Sequence, residues 1–347
     1  YTFVRSRDYK GNGLDRILNM IDTPFKIQKA MRCFYKKEKP DVIYTSSPDL
    51  FVAFFALLFG KMHKIPVVVE IRDLWPESIV EYNGMSRKNP IIQILYQLEK
   101  WIYKKADQLI FTMEGGKEYI KDKGWDKKIN LDKVNHVNNG VDLEEFEYNC
   151  KHYQIDKDLM EEKDVFKAVY VGSIRKVNNL QSLIDAAKYL TDENIKIYIY
   201  GDGTEKAQLE KECKELGLKV YFRGRIEKRY VPYILTQSDL NIINVQAAGL
   251  NKYGCSWNKL FEYMAAKKPI LCNLPVKYDL IQKYNLGITK RFGNAEEYAD
   301  AIIKIYNFNE SEYQKYCRNS EVCVGKYSYS RLSEKIENIL LRSVTFK

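Results

Sequence analysis

Short apolar strands alternate with amphipathic helical segments along nearly the whole chain, and this alternation most constrains its fold. β-Branched or aromatic runs end in Gly, Ser or Asp, and each is followed by a segment whose apolar residues lie three and four apart. This order predicts an α/β fold, with parallel sheets covered by helices on both faces. The predicted strands are residues 42–45, 66–71, 108–112, 133–137, 166–171, 195–200, 220–222, 240–244, 270–273 and 287–289.

The length of the chain predicts that these strands and helices form two domains. A chain of 347 residues exceeds the size at which a single hydrophobic core usually stops growing. The strands predicted after residue 165 are enough for one doubly wound sheet. Between the halves lie the turn-rich Asn138–Asp142 and the polar stretch Tyr148–Asp164, which has the composition of a linker. We expect two doubly wound, Rossmann-like domains at residues 1–149 and 150–327, and an amphipathic helix within residues 328–347.

Composition narrows the class of ligand. The net charge is +10, and 45% hydrophobic with 29% charged residues is typical of a soluble globular protein. A basic surface suits phosphorylated ligands or anionic lipid, and the absence of RNA-binding, zinc-finger or basic-zipper sequences predicts no nucleic-acid partner. Seven scattered cysteines without metal spacing indicate reduced thiols and no metal site in a cytoplasmic protein. The longest apolar run, Leu50–Phe59, is too short to span a membrane, so the protein is expected to be soluble or membrane-peripheral.

The loops that follow the predicted strands of the second half are the candidate binding loops. Open parallel sheets bind ligands beyond the carboxyl ends of their strands, where helix amino termini attract phosphate. In the first such loop, Arg175 and Lys176 stand beside a glycine turn, as a diphosphate requires, although an exposed basic turn has the same sequence. In the second, Gly201 and Gly203 flank an aspartate, which also marks ordinary turns.

A third candidate loop, residues 253–259, leads into a helix. Ser256 is placed to cap that helix, and Lys259 and Glu262 lie three residues apart on one helical face. Such a pair can be a surface salt bridge without function. The apolar Leu260 and Phe261 beside it predict a buried helix, which would hold the Glu262 carboxylate near a ligand, where it could accept hydrogen bonds from two ribose hydroxyls.

The segment Ser256–Ala266, Ser-Trp-Asn-Lys-Leu-Phe-Glu-Tyr-Met-Ala-Ala, closely resembles the donor-site helix of family 4 glycosyltransferases, in the branch that makes bacterial O-antigen and capsule polysaccharides. Ile71–Ser78 resembles the acceptor-side loop of that branch, Asn139–Asp142 its interdomain crossing, and Gly201–Gly203 its second donor-domain loop. The matches follow the family's order over nearly the whole chain, so their joint signal is stronger than any single one.

The resemblance implies a GT-B fold, a nucleoside diphosphate sugar (UDP-linked by resemblance only) as co-substrate without a further cofactor, and a glycan or lipid-linked acceptor. It also implies transfer of a hexosyl or N-acetylhexosaminyl group with retention of anomeric configuration, no catalytic metal, and a final helix that returns to the first domain. By this match Arg175, Lys176 and Lys259 hold the diphosphate, Glu262 the ribose and Arg225 the base edge. The remaining donor-side candidates are Gly172, Ser173, Gly201, Gly203, Ser256 and Asn258.

Three residues, Arg72, Asp73 and Glu77, are the acceptor-side catalytic candidates. Many relatives place a histidine at the position of Arg72, so the group that contacts the reacting hydroxyl stays open. Asp73 could instead cap a turn or a helix.

Two departures from the family pattern affect these expectations. Gly254 stands where many members carry a glutamate that contacts the donor sugar. The opening strand, glycine-rich loop and helix of the family, and the unit that follows them, do not precede Tyr1, although Tyr1–Arg7 resembles a strand inside a domain. We therefore expect the first domain to be incomplete at its amino terminus. A chain without these units could lack transferase activity.

Two other functions and one membrane contact remain open. A non-hydrolysing sugar-nucleotide epimerase would share the architecture, but none of the three histidines lies in a convincing catalytic loop. A degenerate module that binds nucleotide sugar without turnover would fit Gly254. Basic residues of the first half predict peripheral contact with the anionic inner leaflet: Arg16, Lys26, Lys29, Arg32, Lys36, Lys37 and Lys39.

Overall fold

The computed structural model describes residues 2–8, 14–47, 49–157, 162, 164–190 and 194–345, and within them it contains two parallel β-sheets of four and six strands. Each of the ten strands expected between residues 42 and 289 is present, with bounds that differ by at most a few residues. The α/β fold class is therefore confirmed. The strands are β1 (Ile43–Ser47), β2 (Val67–Ile71), β3 (Gln108–Phe111), β4 (Val134–His136), β5 (Phe166–Val171), β6 (Ile195–Tyr200), β7 (Val220–Gly224), β8 (Leu240–Ile243), β9 (Ile270–Cys272) and β10 (Gly287–Thr289).

Helices follow nearly every strand, and several begin at an Asp or Asn whose side chain accepts a hydrogen bond from the first helical turn. Asp49, Asn89 and Asp142 are three such caps. The helices are α1 (Leu14–Tyr35), α2 (Leu50–His63), α3 (Glu77–Asn83), α4 (Pro90–Lys105), α5 (Gly116–Asp122), α6 (Leu143–His152), α7 (Leu180–Ala187), α8 (Lys206–Glu215), α9 (Val231–Gln237), α10 (Asn258–Ala265), α11 (Leu280–Tyr284), α12 (Ala295–Tyr306), α13 (Glu310–Val324) and α14 (Tyr329–Thr345).

The four-stranded sheet belongs to the first compact unit and has the order β1-β2-β3-β4, with every pair parallel. Its central strands are mostly apolar, as is typical of parallel strands in a sheet that is covered on both faces. Val68 in β2 and Leu109 and Ile110 in β3 have no exposed surface. Arg72 and Asp73 follow β2 directly, so the sheet places them at the carboxyl ends of its strands.

The six-stranded sheet belongs to the second unit and has the order β10-β9-β8-β5-β6-β7, again all parallel. From β5 the chain builds outward through β6 and β7, then returns to β8 on the other side of β5. Two buried apolar clusters pack on the two faces of this sheet, one around Phe261 and Ile243 and one around Leu183 and Ile197. This is the doubly wound arrangement expected from the sequence.

The compact units divide at Asn138 and Asn139, before the boundary expected near Asn149. The first unit comprises Tyr1–Asn138, Lys252–Gly254 and Ser333–Lys347, and the second comprises Asn139–Asn251 and Cys255–Leu332. The units divide earlier than that because α6 packs with the second unit, where Phe146 belongs to the core that contains Ile234 and Leu260. The final part of α14 is counted with the first unit.

Two local expectations are wrong. The polar stretch from Tyr148 is a linker only in part, because residues through His152 complete α6. Residues 2–8 form no strand; instead the carbonyl of Arg7 and the hydroxyl of Ser6 accept hydrogen bonds from Asn19 of α1. The remainder of the linker falls partly on residues 158–161 and 163, which lie outside the described residues. Within the described residues, no helix is both long enough and apolar enough to cross a membrane.

Candidate functional site

The second sheet has a switch point between β5 and β8, where the chain leaves two adjacent strands toward opposite sides. At such a point the loops after the two strands diverge and leave a crevice at the carboxyl edge, which is where open α/β sheets bind ligands. Val171 ends β5 and Ile243 ends β8. The loop that begins at Gly172 therefore borders the switch point.

Three of the predicted donor glycines bring two loop backbones into contact. A Cβ on Gly201 would lie 1.8 Å from the carbonyl oxygen of Gly172, and a Cβ on Gly203 would lie 2.1 Å from the carbonyl oxygen of Ile174. Gly172 and Gly201 also have φ values of +156° and +152°, which favour glycine. The requirement for glycine at residues 201 and 203 thus comes from packing between the β5 and β6 loops.

The remaining candidate residues of the first donor loop are exposed. Ser173, Arg175 and Lys176 all lie on the surface. Asn178 holds the loop in shape, since its amide donates to both the carbonyl and the hydroxyl oxygen of Ser173 at 2.8 and 2.9 Å. The two cations are thereby presented to solvent on an ordered turn.

Ser256 does not cap the donor helix, contrary to the sequence expectation. The residue before α10 is Trp257, and the structure gives it no side-chain cap. Ser256 instead binds Asn139: its hydroxyl accepts from the Asn139 backbone N–H at 2.8 Å, and its carbonyl accepts from the Asn139 amide at 2.5 Å. The backbone N–H groups of the first turn, from Asn258 onward, keep the partial positive charge of a helix amino terminus.

Lys259 lies in the first turn of α10 and extends to the Gly172 loop. Its Nζ lies 2.9 Å from the position that a Cβ on Gly172 would occupy. In the described part of the chain this amine donates to the hydroxyl of Tyr170 at 3.1 Å, and the salt bridge that its spacing from Glu262 permits does not form. The side chain is half-buried, and desolvation lowers the pKa of Lys259 to about 8, although electrostatic interactions with Cys272 and Glu262 oppose this shift.

Glu262 is half-buried on the same helix. Desolvation raises the pKa of its carboxyl group; Lys228 and Lys259 oppose this shift, and Glu145 adds to it. Leu260 and Phe261 beside it are buried, as the sequence predicted, and Tyr263 is buried as well. A carboxylate in such surroundings gains from a hydroxyl donor, because a hydrogen bond restores part of the lost solvation.

Arg225 lies exposed just after β7, at the same carboxyl edge. Next to it is a cluster that the sequence did not reveal. Asp156 accepts two hydrogen bonds from Arg223, at 3.0 and 2.7 Å, and one from the Tyr200 hydroxyl at 2.9 Å. The Arg223 hydrogen bonds and the Tyr200 hydroxyl outweigh desolvation and lower the pKa of Asp156. This cluster links the ends of β6 and β7 to the segment after α6.

Asp73 presents an available carboxylate in the first unit. Its side chain is exposed, and it forms neither a hydrogen bond nor an ion pair with any residue that the structure describes. It is not the cap of α3, because Pro76 occupies that position without a side-chain bond. Neighbouring protein atoms desolvate the carboxylate and raise the pKa of Asp73, and Arg72, which is also exposed, opposes the shift.

Glu77 is engaged by partners other than Asp73. Its carboxylate is buried, with 5% of the residue exposed, and both oxygens are occupied. Arg87 donates to one oxygen at 3.0 and 2.6 Å, while Tyr96 and Lys123 donate to the other. Desolvation raises the pKa of Glu77, but the bonds from Lys123, Tyr96 and Arg87 outweigh it and the net shift is downward. We therefore interpret Glu77 as a structural residue that ties α3 to α4 and α5.

We expect Glu77→Gln to lower the free energy of unfolding by about 1–3 kcal/mol, because a neutral amide at this buried position leaves the largely buried Lys123 without its charged partner and weakens the pairing of the more exposed Arg87. Because the folded carboxyl has a lowered pKa, its contribution is complete above the ordinary glutamate pKa of about 4.3 and disappears as the pH falls through the folded value. Urea denaturation at pH 7 and at acid pH measures both effects.

Glu81→Gln is the matched control for this substitution, since Glu81 pairs with the same Arg87 from a more exposed position. It should cost less than Glu77→Gln and show a weaker dependence on pH. A Glu77→Gln protein with unchanged stability and abolished turnover would contradict the structural interpretation and restore a catalytic one.

The two compact units, each with a parallel sheet and candidate ligand residues at its carboxyl edge, match two glycosyltransferase family models. Residues 2–145 match the model described as Glycosyltransferase Family 4, and residues 153–321 match Glycosyl transferases group 1. Together these two matches cover most of the chain, and they support a two-domain glycosyltransferase of the GT-B type.

Individual relatives agree with this class. The chain is 24% identical over 221 residues to the putative colanic acid biosynthesis glycosyl transferase WcaI of Escherichia coli K12. The matched region covers 62% of this chain and 53% of WcaI. It thus spans about half the length of that curated relative. Among solved structures, HepE of Anabaena in complex with UDP is similar with a TM-score of 0.72 at 13% identity, covering 94% of this chain and 84% of HepE. Sucrose-phosphate synthase of Thermosynechococcus elongatus is similar with a TM-score of 0.72 at 15% identity, and the match covers 94% of this chain and 80% of the synthase.

Proposed function

We propose that this protein transfers a hexosyl or N-acetylhexosaminyl group from a nucleoside diphosphate sugar, UDP-linked, to a glycan or lipid-linked acceptor in the synthesis of a bacterial cell-surface polysaccharide. Transfer retains the anomeric configuration and requires neither a metal nor a further cofactor. The second unit binds the donor, and the carboxyl edge of the first sheet binds the acceptor.

The position of Lys259 carries this proposal. Its amine lies against the Gly172 loop at the switch point, where a diphosphate would find it together with the first-turn N–H groups of α10. Arg175 and Lys176 lie exposed on the same loop, and Glu262 lies along the same helix. Solved structures of HepE contain UDP, UDP with glucose, and UDP-glucose, which favours a UDP-linked donor here. The name of WcaI, colanic acid biosynthesis, favours a surface-polysaccharide product.

The chemistry follows from these groups. The bond between the anomeric carbon and the diphosphate breaks, a bond to the acceptor oxygen forms on the same face of the sugar, which retains the configuration, and the acceptor proton leaves. Negative charge develops on the diphosphate, and fixed cations and a helix amino terminus stabilise it without a metal. Asp73 positions the acceptor hydroxyl and draws its proton, which suits a carboxylate whose pKa is raised and whose oxygens are unoccupied.

Calorimetric titration with UDP tests the donor site. We expect UDP to bind, and Glu262→Ala to weaken binding about tenfold or more, because a hydrogen bond to a charged carboxylate contributes roughly 1.5–3 kcal/mol. Glu215→Ala is the control, since Glu215 is an exposed residue of α8 whose partner Lys211 is also on the surface. A folded protein that binds no nucleotide would eliminate the transferase proposal.

Further assays separate the alternatives. An epimerase would convert the donor sugar without an acceptor, whereas a degenerate module would bind UDP and never turn over. Transfer that persists in EDTA supports the metal-independent route, and loss of transfer on chelation contradicts it.

We also propose peripheral contact with the anionic inner leaflet. The cations predicted from the sequence include Lys29 and Arg32 of α1, both exposed, and Phe25 on that helix is 55% exposed. Each basic residue near such a surface contributes about 1 kcal/mol. Failure to float with phosphatidylglycerol vesicles at low salt would remove this part of the proposal.

A further inference from the structure

The hydroxyl of Tyr170 lies between the β5 loop and Lys259. Tyr170 is the penultimate residue of β5, and its side chain is buried. Its oxygen lies 2.8 Å from the carbonyl oxygen of Ser173 and 3.1 Å from Lys259 Nζ. The same amine lies 4.3 Å from the centroid of the Tyr170 ring. One side chain thus contacts both the diphosphate loop and the lysine proposed to bind there.

The direction of these hydrogen bonds follows from proton counting. A phenol has one proton, and the Ser173 carbonyl can only accept, so that proton is donated to Ser173. The phenol oxygen must then accept from the Lys259 amine. Burial raises the pKa of Tyr170, so the phenol stays protonated and this direction is maintained over the working range of pH. The negative face of the ring attracts the same cation.

We propose that Tyr170 is a positioning residue that holds the Lys259 ammonium group beside Gly172, in place for the donor diphosphate. The inference rests on the proposed donor site and adds to it a residue outside the loops. Without the hydroxyl, Lys259 retains the attraction of the ring but loses its acceptor, so the amine is less well fixed and its charged form is less well stabilised. A lysine has many rotamers, and fixing it in advance favours ligand binding.

Three titratable groups face Lys259 from the elements around it. They are Tyr170 on β5, Cys272 on β9 and Glu262 on α10 itself. Burial raises the pKa of Cys272 to about 12, so the thiol is neutral at the pH of an assay. Because Lys259 binds an anion best when protonated, UDP affinity should decline as the pH rises through the lowered pKa of the free lysine.

Calorimetric titration of the whole chain with UDP from pH 6.5 to 9.5 tests the inference. We expect Tyr170→Phe to weaken binding about tenfold at neutral pH and to move the decline in affinity to lower pH. Tyr198→Phe is the matched control, since Tyr198 is a buried strand tyrosine of β6 that stacks on Tyr221. It should leave both quantities unchanged.

A double-mutant cycle with Lys259→Met distinguishes positioning from a general packing effect. In the Lys259→Met background, Tyr170→Phe should cause no further loss, because the partner it acts through is gone. An equal loss in both backgrounds, or an unchanged affinity and pH profile in the single variant, would overturn the inference. Absence of UDP binding by the unaltered protein would refute the donor site itself, which is a separate outcome.

Discussion

Asp73→Asn should slow sugar transfer by about 10²–10⁴-fold and leave UDP affinity unchanged, because removal of a group that accepts a proton in the transition state has effects of that size. The asparagine keeps the size of the side chain and loses the ability to take a proton. Asp73 is exposed and has no partner among the described residues, so the substitution should not alter stability. Steady-state transfer from UDP-sugar, with calorimetry on the same samples, measures the effect.

Asp41→Asn serves as the control for Asp73→Asn. Asp41 is an exposed aspartate just before β1, and its conversion to asparagine changes the net charge by the same amount. Transfer by the Asp73→Asn protein at the unaltered rate would remove Asp73 from the reaction. The acceptor-side assignment would then rest on Arg72, which Arg72→Ala would test directly.

Gly201→Ala should destabilise the second unit by about 3–5 kcal/mol, from strain at a positive φ and from overpacking together. The added Cβ would lie 1.8 Å from the Gly172 carbonyl oxygen and 2.9 Å from its carbon, both backbone atoms. Neither atom can move away without separating the β5 and β6 loops. Gly201 is also held from the other side, because its N–H donates to the carbonyl oxygen of Gly224 at the end of β7, at 2.7 Å. Urea denaturation followed by circular dichroism measures the loss, and weaker UDP binding should accompany it.

Gly217→Ala isolates the contribution of crowding to the Gly201→Ala effect. Gly217 also has a positive φ, of +62°, but a Cβ there meets no atom within 4 Å. The expected cost is about 1 kcal/mol, from backbone conformation alone. If the two substitutions cost the same, packing between the loops is not the reason for glycine at residue 201.

The strands could be predicted because their signal is local. A parallel strand covered on both faces is a continuous apolar run that ends where the chain reaches the carboxyl edge. Phe166–Val171 and Ile195–Tyr200 have the predicted bounds at both ends, and each is followed by a glycine with a positive φ. The same glycines pointed to the donor loops, since a chain that turns sharply at a sheet edge needs them.

What could not be predicted depends on partners far away in the sequence. Helix α6 is rich in charged residues and buries few side chains, Phe146 among them, so its composition is that of a linker. Glu77 stands four residues after Asp73, yet its buried partner Lys123 is 46 residues further on. Asp156 and Arg223 are separated by 67 residues. Only the folded chain shows that both carboxylate oxygens of Glu77 accept hydrogen bonds, whereas the carboxylate of Asp73 accepts none from the described residues.

The pair of hydrogen bonds between Asn139 and Ser256 determines where the second unit can be cut. A fragment that began at residue 150, after the apparent linker, would lose Asn139, the bridge from Val141 to Ser328 and the buried Phe146. Helix α10 would then lack the tether that fixes Ser256 just ahead of its first turn. A fragment made to test UDP binding by the second unit should therefore start no later than Asn139, and we expect a fragment from residue 150 to bind UDP more weakly than one from Asn139.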